Sequence, residues 1–296
     1  MEVVVLGSAT MPVINCLSID VEGFYEARLE ALNIDPAAVD RPTEIREIET
    51  NMHYILQLLQ DCQVQATFFF TGSSVEALPH LVSQVKALGH EVGSHNYFHW
   101  RVDGLDPETF RRGMERAVGE LQDVLGSALY GFRAPQFSVS KATLWATDIL
   151  AELGFHYDSS MYPVALRRPV SPDDACPHIH RLPNGLIEFP ATTVAAFNRR
   201  LPAAGGGYYR LYPLWFSRYL VSHVNHSGHP SMFFIHPYEV GPMRPRMPNL
   251  SPFWRWRLYH NAGSGDRLRH LLDHFQWEPA ITILERRGLV ESNHGN

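Results

Sequence analysis

Four short stretches of this chain carry side chains of catalytic type where apolar runs end. In Ser18-Ile19-Asp20-Val21-Glu22 two carboxylates stand two residues apart, and on a strand such residues face the same way. Paired carboxylates repel unless a cation or a proton sits between them, so the pair reads either as half of an ion site or as a solvated strand end. In Ser94-His95-Asn96-Tyr97-Phe98-His99 two histidines stand four apart. They can reach one ion, and neutral imidazole suits zinc or a neighbouring transition metal. With sixteen histidines in the chain, one such spacing also arises by chance. Phe132-Arg133-Ala134-Pro135 sets an arginine before a proline-stiffened loop, where an ordinary ion pair is the plainer use. Phe233-Phe234-Ile235-His236-Pro237 brings one histidine to the end of an apolar run, where a satisfied core histidine is the plainer use. His178, His180, His223, His226 and His229 have no carboxylate at matching spacing and read as surface residues.

The elements that must position these residues follow from periodicity. Strands are expected at Val13–Asp20, Val64–Phe70, Glu91–His95, Tyr130–Ala134, His156–Ser159, Leu186–Phe189 and Ser231–His236. Helices are expected between them. Arg41–Asp61 carries Ile45, Ile48, Met52, Ile55, Leu56 and Leu59 on one stripe. A second runs from Val75 to Gly89, and a third opens at Asp106-Pro107 and stops at Gly126. Lys141–Leu153 and Pro213–His226 complete the set. Alternating strands and helices are the mark of βα units around a parallel sheet. In a barrel of such units, chemistry collects where strands end and loops begin, which is where all four stretches fall. Five prolines between Pro163 and Pro183 mark a loop-rich insertion.

The succession Asp-x-Glu, Ser-His-x-x-x-His, Arg-x-Pro, Asp-Ser-Ser and His-Pro resembles the polysaccharide deacetylases of carbohydrate esterase family 4. The strings Ala66–Phe69, Gly89–His95, Arg133–Ser138, Tyr157–Ser160 and Gly205–Arg210 are similar to its exosortase-associated exopolysaccharide branch. The likeness runs from about residue 14 to about residue 275. It implies an α/β fold, a distorted (β/α) barrel of about seven parallel strands with an elaborated C-terminal part. It also implies one domain over 1–296, with 163–230 as a loop-rich insertion.

The same resemblance implies a divalent metal, zinc first, with cobalt, manganese, nickel or iron able to serve, held by Glu22, His95 and His99. It assigns Asp20 as general base, His236 as general acid, Arg133 as the cation that keeps Asp20 ionised, and Asp158 as the group that orients His236. Pro135, Tyr208 and Tyr209, with Trp254 and Trp256 nearby, are expected to meet the substrate, although such aromatics serve equally well in a core. The activity implied is removal of an N-acyl group, N-acetyl first, from an amino sugar in a saccharide. An amidase, deformylase or cyclic-imide hydrolase on a small metabolite is the alternative, and a silent saccharide-binding barrel is the non-enzymatic rival. Two departures matter: the first motif is Asp-Val-Glu rather than adjacent aspartates, and Gly23 stands where an acidic residue is common.

Composition narrows the field around this reading. The chain has 296 residues, 45% hydrophobic and 19% charged, which excludes a disordered tail, a collagen and a coiled coil. A core of that size needs no metal for stability, so a metal would serve chemistry. The net charge is −6, with Lys86 and Lys141 the only lysines, and no basic stripe points to nucleic acid. No run of 18 apolar residues suggests a membrane span. Cys16, Cys62 and Cys176 form no CxxC and leave an odd count, which favours a reducing, cytoplasmic setting. Oligomeric state stays open, a homo-oligomer included.

Overall fold

The computed structural model describes residues 12–32, 35, 37, 39–164, 176–196, 199–244, 251–260 and 264–291. Its strands are β1 (Ile14–Val21), β2 (Thr67–Phe70), β3 (Glu91–Ser94), β4 (Gly131–Phe132), β5 (Tyr157–Asp158), β6 (His180–Arg181), β7 (Ile187–Glu188), β8 (Thr193–Ala196), β9 (Arg199–Pro202), β10 (Met232–Ile235) and β11 (Gln276–Trp277). The order β10-β1-β2-β3-β4-β5-β7 is parallel throughout. Antiparallel β6 extends it at one end, and β11 pairs with the start of β1. The expected seven-stranded parallel barrel is therefore present, but as a curled sheet that stays open. Between β7 and β10 the gap is bridged by Thr192, whose N–H donates to the Met232 carbonyl and whose hydroxyl accepts from the Met232 N–H at 2.7 Å.

Strand parity sorts the core into two layers. Leu17, Ile19, Val21, Phe68, Phe70, Val92 and Phe132 face the surrounding helices. Cys16, Phe69, Tyr157, Ile187, Phe189 and Met232 fill the inside of the curl, floored by Ile283 and Leu284 of the helix Ala280–Arg286. Ser18, Asp20 and Glu22 continue the inward column begun by Cys16, so β1 carries polar side chains up to the mouth.

Most expected helices form. Arg41–Asp61 and Pro107–Leu125 begin where Asp40 and Asp106 accept from Thr43 and Thr109 N–H groups, as aspartate N-caps do. Two expectations change. The helix expected from Val75 is two helices, Gly72–Ala77 and Pro79–Ala87, because Pro79 cannot donate into a continuous ladder. The one expected at Lys141–Leu153 is a short 3₁₀ turn, Lys141–Thr143, followed by Trp145–Glu152. The β8–β9 hairpin and the helix Phe24–Leu32 were not expected from the sequence. That helix is capped from a distance: Glu44 accepts the Tyr25 and Glu26 N–H groups at 2.8 and 3.1 Å. Gly23 makes room for this, since a Cβ there would lie 2.1 Å from the Glu44 carboxylate. Among the described residues no helix is long and apolar enough to cross a membrane.

Candidate active site

All four motif ends converge at the mouth of the curl. Glu22, His95 and His99 are buried, with ligand-type atoms within 4.8 Å of one another. Both imidazoles present Nε2 to the same oxygen, Glu22 Oε2, at 3.2 Å for His95 and 2.7 Å for His99. The His95 Nδ1 lies 2.7 Å from the Arg133 carbonyl, which can only accept, so that nitrogen carries the hydrogen. In a neutral ring Nε2 then offers a lone pair to a carboxylate oxygen, an arrangement that invites a cation between them. This donor set, with the Arg133 carbonyl fixing the His95 ring from behind, fits a zinc-type ion. Burial alone would raise the Glu22 carboxyl, but charge on His99 and His236 holds it well below the usual range.

Asp20 sits one inward step below Glu22 and is buried. Its Oδ1 accepts from Arg133 Nη1 at 2.7 Å, and its Oδ2 is 3.9 Å from His236 Nε2. Arg133 is fully buried and anchored on every side. Nη1 also donates to Ser18, Nε and Nη2 donate to the Ser159 carbonyl and hydroxyl, and the guanidinium lies 4.4 Å from the centre of the Phe69 ring. An arginine so held is a fixed positive charge beside Asp20.

His236 follows β10 and opens a single turn, Pro237–Val240. Its Nε2 faces Glu22 Oε1 at 3.4 Å, and its ring stacks on Tyr238 at 5.0 Å. Tyr238 donates to Glu22 at 3.4 Å. Burial by itself would lower the His236 ring; Glu239, then Glu22 and Asp20, raise it above the ordinary imidazole value.

The expected partner of His236 is corrected. Its Nδ1 lies 2.8 Å from Glu239 Oε2, so Glu239 holds the place expected for Asp158. Parity gives the reason. Tyr157 points into the curl, so its neighbour Asp158 points to the opposite face. There Asp158 meets Glu188, its register partner on β7, and accepts from the Ser160 hydroxyl. Ser160 in turn accepts from the Ala134 N–H at 2.7 Å, so Asp158 steadies the loop after Arg133.

The expected substrate contacts divide. Tyr209 is buried beneath β10, 5.3 Å from the Phe233 ring, and offers no open face. Tyr208 is half-buried with its ring 6.1 Å from Tyr212. Pro135 is buried and starts a turn in which Gln136 and Phe137 adopt left-handed backbone, φ 54° and 52°. Such conformations are sparsely populated and cluster at functional loops. Trp256 is exposed, and the Trp254 side chain lies outside the described residues. The open space beside the mouth is elsewhere: a cavity of about 620 Å³ lined by Glu26, His99, Trp100, Arg101 and Gln136 among others. Neither Glu239 nor this wall was singled out from the sequence. A glutamate three residues after His236-Pro237 is a capping-box spacing, and that signal would have found Glu239.

The curled parallel sheet thus carries a carboxylate–dihistidine cluster and an arginine-held aspartate at its mouth. Residues 38–157 match the polysaccharide deacetylase family, and residues 159–285 match a domain of unknown function. That first match covers less than half of the chain. The site draws on more than that stretch, because Asp20 and Glu22 precede it and His236 and Glu239 follow it. A peptidoglycan deacetylase of Helicobacter pylori is 28% identical over 113 residues, 38% of this chain and 38% of that protein. The matched part therefore spans little more than a third of that relative's length. Among solved structures, one from Mycobacterium smegmatis bearing the polysaccharide deacetylase name has a TM-score of 0.62 at 21% identity, covering 95% of this chain and 94% of that one. The Puue allantoinase has a TM-score of 0.63 at 15% identity, covering 94% and 91%. At these identities the two structures share the fold.

Proposed function

We propose that this protein is a metal-dependent N-deacylase that removes the acyl group, N-acetyl first, from an amino sugar of a saccharide. The observation that carries the reading is Asp20, fixed by Arg133 through one oxygen and open through the other, beside the Glu22–His95–His99 cluster. The family stretch and the peptidoglycan deacetylase relative support the choice of an amino-sugar amide.

A zinc-type ion held by Glu22, His95 and His99 would polarise the amide carbonyl and supply water as nucleophile. Asp20 Oδ2 takes the proton of the attacking water. Arg133 holds the Asp20 carboxylate in place through Oδ1 and leaves Oδ2 turned to the mouth. His236 Nε2 hands a proton to the departing nitrogen, which leaves as a neutral amine far more readily than as an amide anion. Tyr238, stacked on His236 and donating to Glu22, keeps both at their separation. The three unpaired cysteines support a reducing, cytoplasmic setting. The Gly205–Arg210 string supports the exosortase-associated branch, and a site drawn from both ends of the chain supports a single domain.

The test is release of amine or carboxylate by the metal-reconstituted chain from chitopentaose, an N-formyl hexosamine and allantoin. Acetate from chitopentaose in preference to the others is the expected result. Turnover of allantoin alone would move the site to cyclic-ureide chemistry, and turnover of none would favour a silent saccharide-binding barrel.

A further inference from the structure

Behind His236 lies a second layer of buried charge that the reaction above does not use. Glu239 Oε2 accepts from His236 twice, from the ring Nδ1 at 2.8 Å and from the backbone N–H at 3.2 Å. Its other oxygen, Oε1, accepts from Arg210, from Nε at 3.3 Å and Nη2 at 3.2 Å. Glu239 and Arg210 are only 2% and 3% exposed, and Arg210 Nη1 donates onward to the His260 carbonyl.

Arg210 arrives there by an unusual route. Gly205 has φ 62° and ψ −165°, a backbone region open only to glycine. A Cβ on Gly205 would lie 1.6 Å from the Phe234 carbonyl oxygen, and one on Gly206 would lie 2.9 Å from the Phe234 ring. The two glycines thus let the chain run against β10, the strand that delivers His236. The helix Gly206–Leu211 starts at that contact and sets Arg210 on Glu239.

We infer that Glu239 is the positioning residue of His236, locked in turn by Arg210, and that Gly205 and Gly206 exist to bring Arg210 there. A carboxylate can only accept, so its contact fixes the hydrogen on Nδ1 and turns Nε2 toward Asp20 and Glu22. The proton donor and its support ride on one four-residue turn, whereas Asp158 lies on the opposite face of the sheet beside Glu188. The inference rests on the reading of His236 as the group that hands over a proton.

The test combines spectroscopy on the metal-free full chain with kinetics on the metal-loaded one. In ¹⁵N-histidine-labelled protein, with His236 assigned by its loss in His236→Gln, long-range ¹H–¹⁵N spectra recorded at a pH where the ring is neutral should show one tautomer, hydrogen on Nδ1. Glu239→Gln, Arg210→Met and the double variant Glu239→Ala/Arg210→Met, which leaves no lone buried charge, should show mixed tautomers. Glu239→Asp should return the wild-type tautomer in part. With chitopentaose, Glu239→Gln should lose about 10²-fold in kcat with KM nearly unchanged, while 4-nitrophenyl acetate, whose leaving group needs no proton, should lose severalfold at most. An unchanged tautomer in the folded double variant, or equal losses on amide and ester, would overturn the assignment. If the wild type hydrolyses neither probe, the deacylase reading fails while the tautomer measurement still decides this one.

Discussion

Two groups of buried carboxyls sit on opposite faces of the same curled sheet, and they differ in charge: one is held ionised, the other is pushed toward its neutral form. At the mouth, burial would raise Glu239, but His236 and Arg210 hold it down to about 2. On the outer face of β5 and β7, burial dominates, lifting Asp158 to about 6 and Glu188 well above its ordinary value, the latter also because Asp158 is its neighbour. Histidines show the same contrast. His90, buried with no carboxylate, is pushed down to about 4, whereas His236 is raised. Residue type and burial are alike in each comparison. What differs is whether an opposite charge is aimed at the buried group, and that sorts working carboxylates from structural ones.

The sharpest way to break this contrast is Asp20→Asn. It should keep the metal, because Asp20 is outside the cluster, yet lose about 10²–10⁴-fold in kcat, the range expected of a positioned base. Elemental analysis beside turnover of chitopentaose separates the two effects, and near-normal turnover would make Glu22 or another group the base. The double variant His95→Ala/His99→Ala should lose stoichiometric metal and stay folded, since the core does not depend on the ion. Undiminished metal by elemental analysis would refute that cluster.

The same substitution on the two faces should then give different costs. Glu239→Gln removes the buried carboxylate that faces both His236 and Arg210 and should destabilise by about 3–5 kcal/mol. Glu188→Gln replaces a carboxyl already holding a proton and should cost less than about 1 kcal/mol. Urea denaturation of both variants measures the difference, and equal costs would erase the distinction drawn here.

A smaller effect concerns acid. Folded His90 titrates near 4, and its Nδ1 accepts the Ala66 N–H, which requires a neutral ring. Unfolded histidine titrates near 6.5. Between those values the unfolded chain binds the extra proton, so stability is full above about 6.5 and falls as pH drops toward 4, by on the order of 3 kcal/mol. His90→Gln should flatten that limb in thermal unfolding followed from pH 7 to 4. An unchanged slope would assign it to other groups.

Much of the fold was legible because its signals are local. β-rich runs, the apolar stripe of Arg41–Asp61 and the Asp106-Pro107 start located the strands and the main helices around the sheet, and the order of strand ends brought six of the expected residues to one mouth. The unread parts depend on distant partners. The helix Phe24–Leu32 is capped by Glu44 on another helix, a cap no window around it displays. Tyr209 looks like a substrate platform until β10 covers it. Asp158 was misplaced by one residue of parity, an error the inward Tyr157 makes plain in three dimensions.

Arg133 serves the mouth twice, with two parts of unequal heritability. Its guanidinium fixes Asp20, and any other side chain would surrender that. Its carbonyl fixes His95, and every amino acid has one. On the proposed reading, drift at this codon would strip the chemistry before it strips the ion site. A descendant that has stopped hydrolysing would keep its grip on the cation, and a metal assay alone would mistake it for a living enzyme.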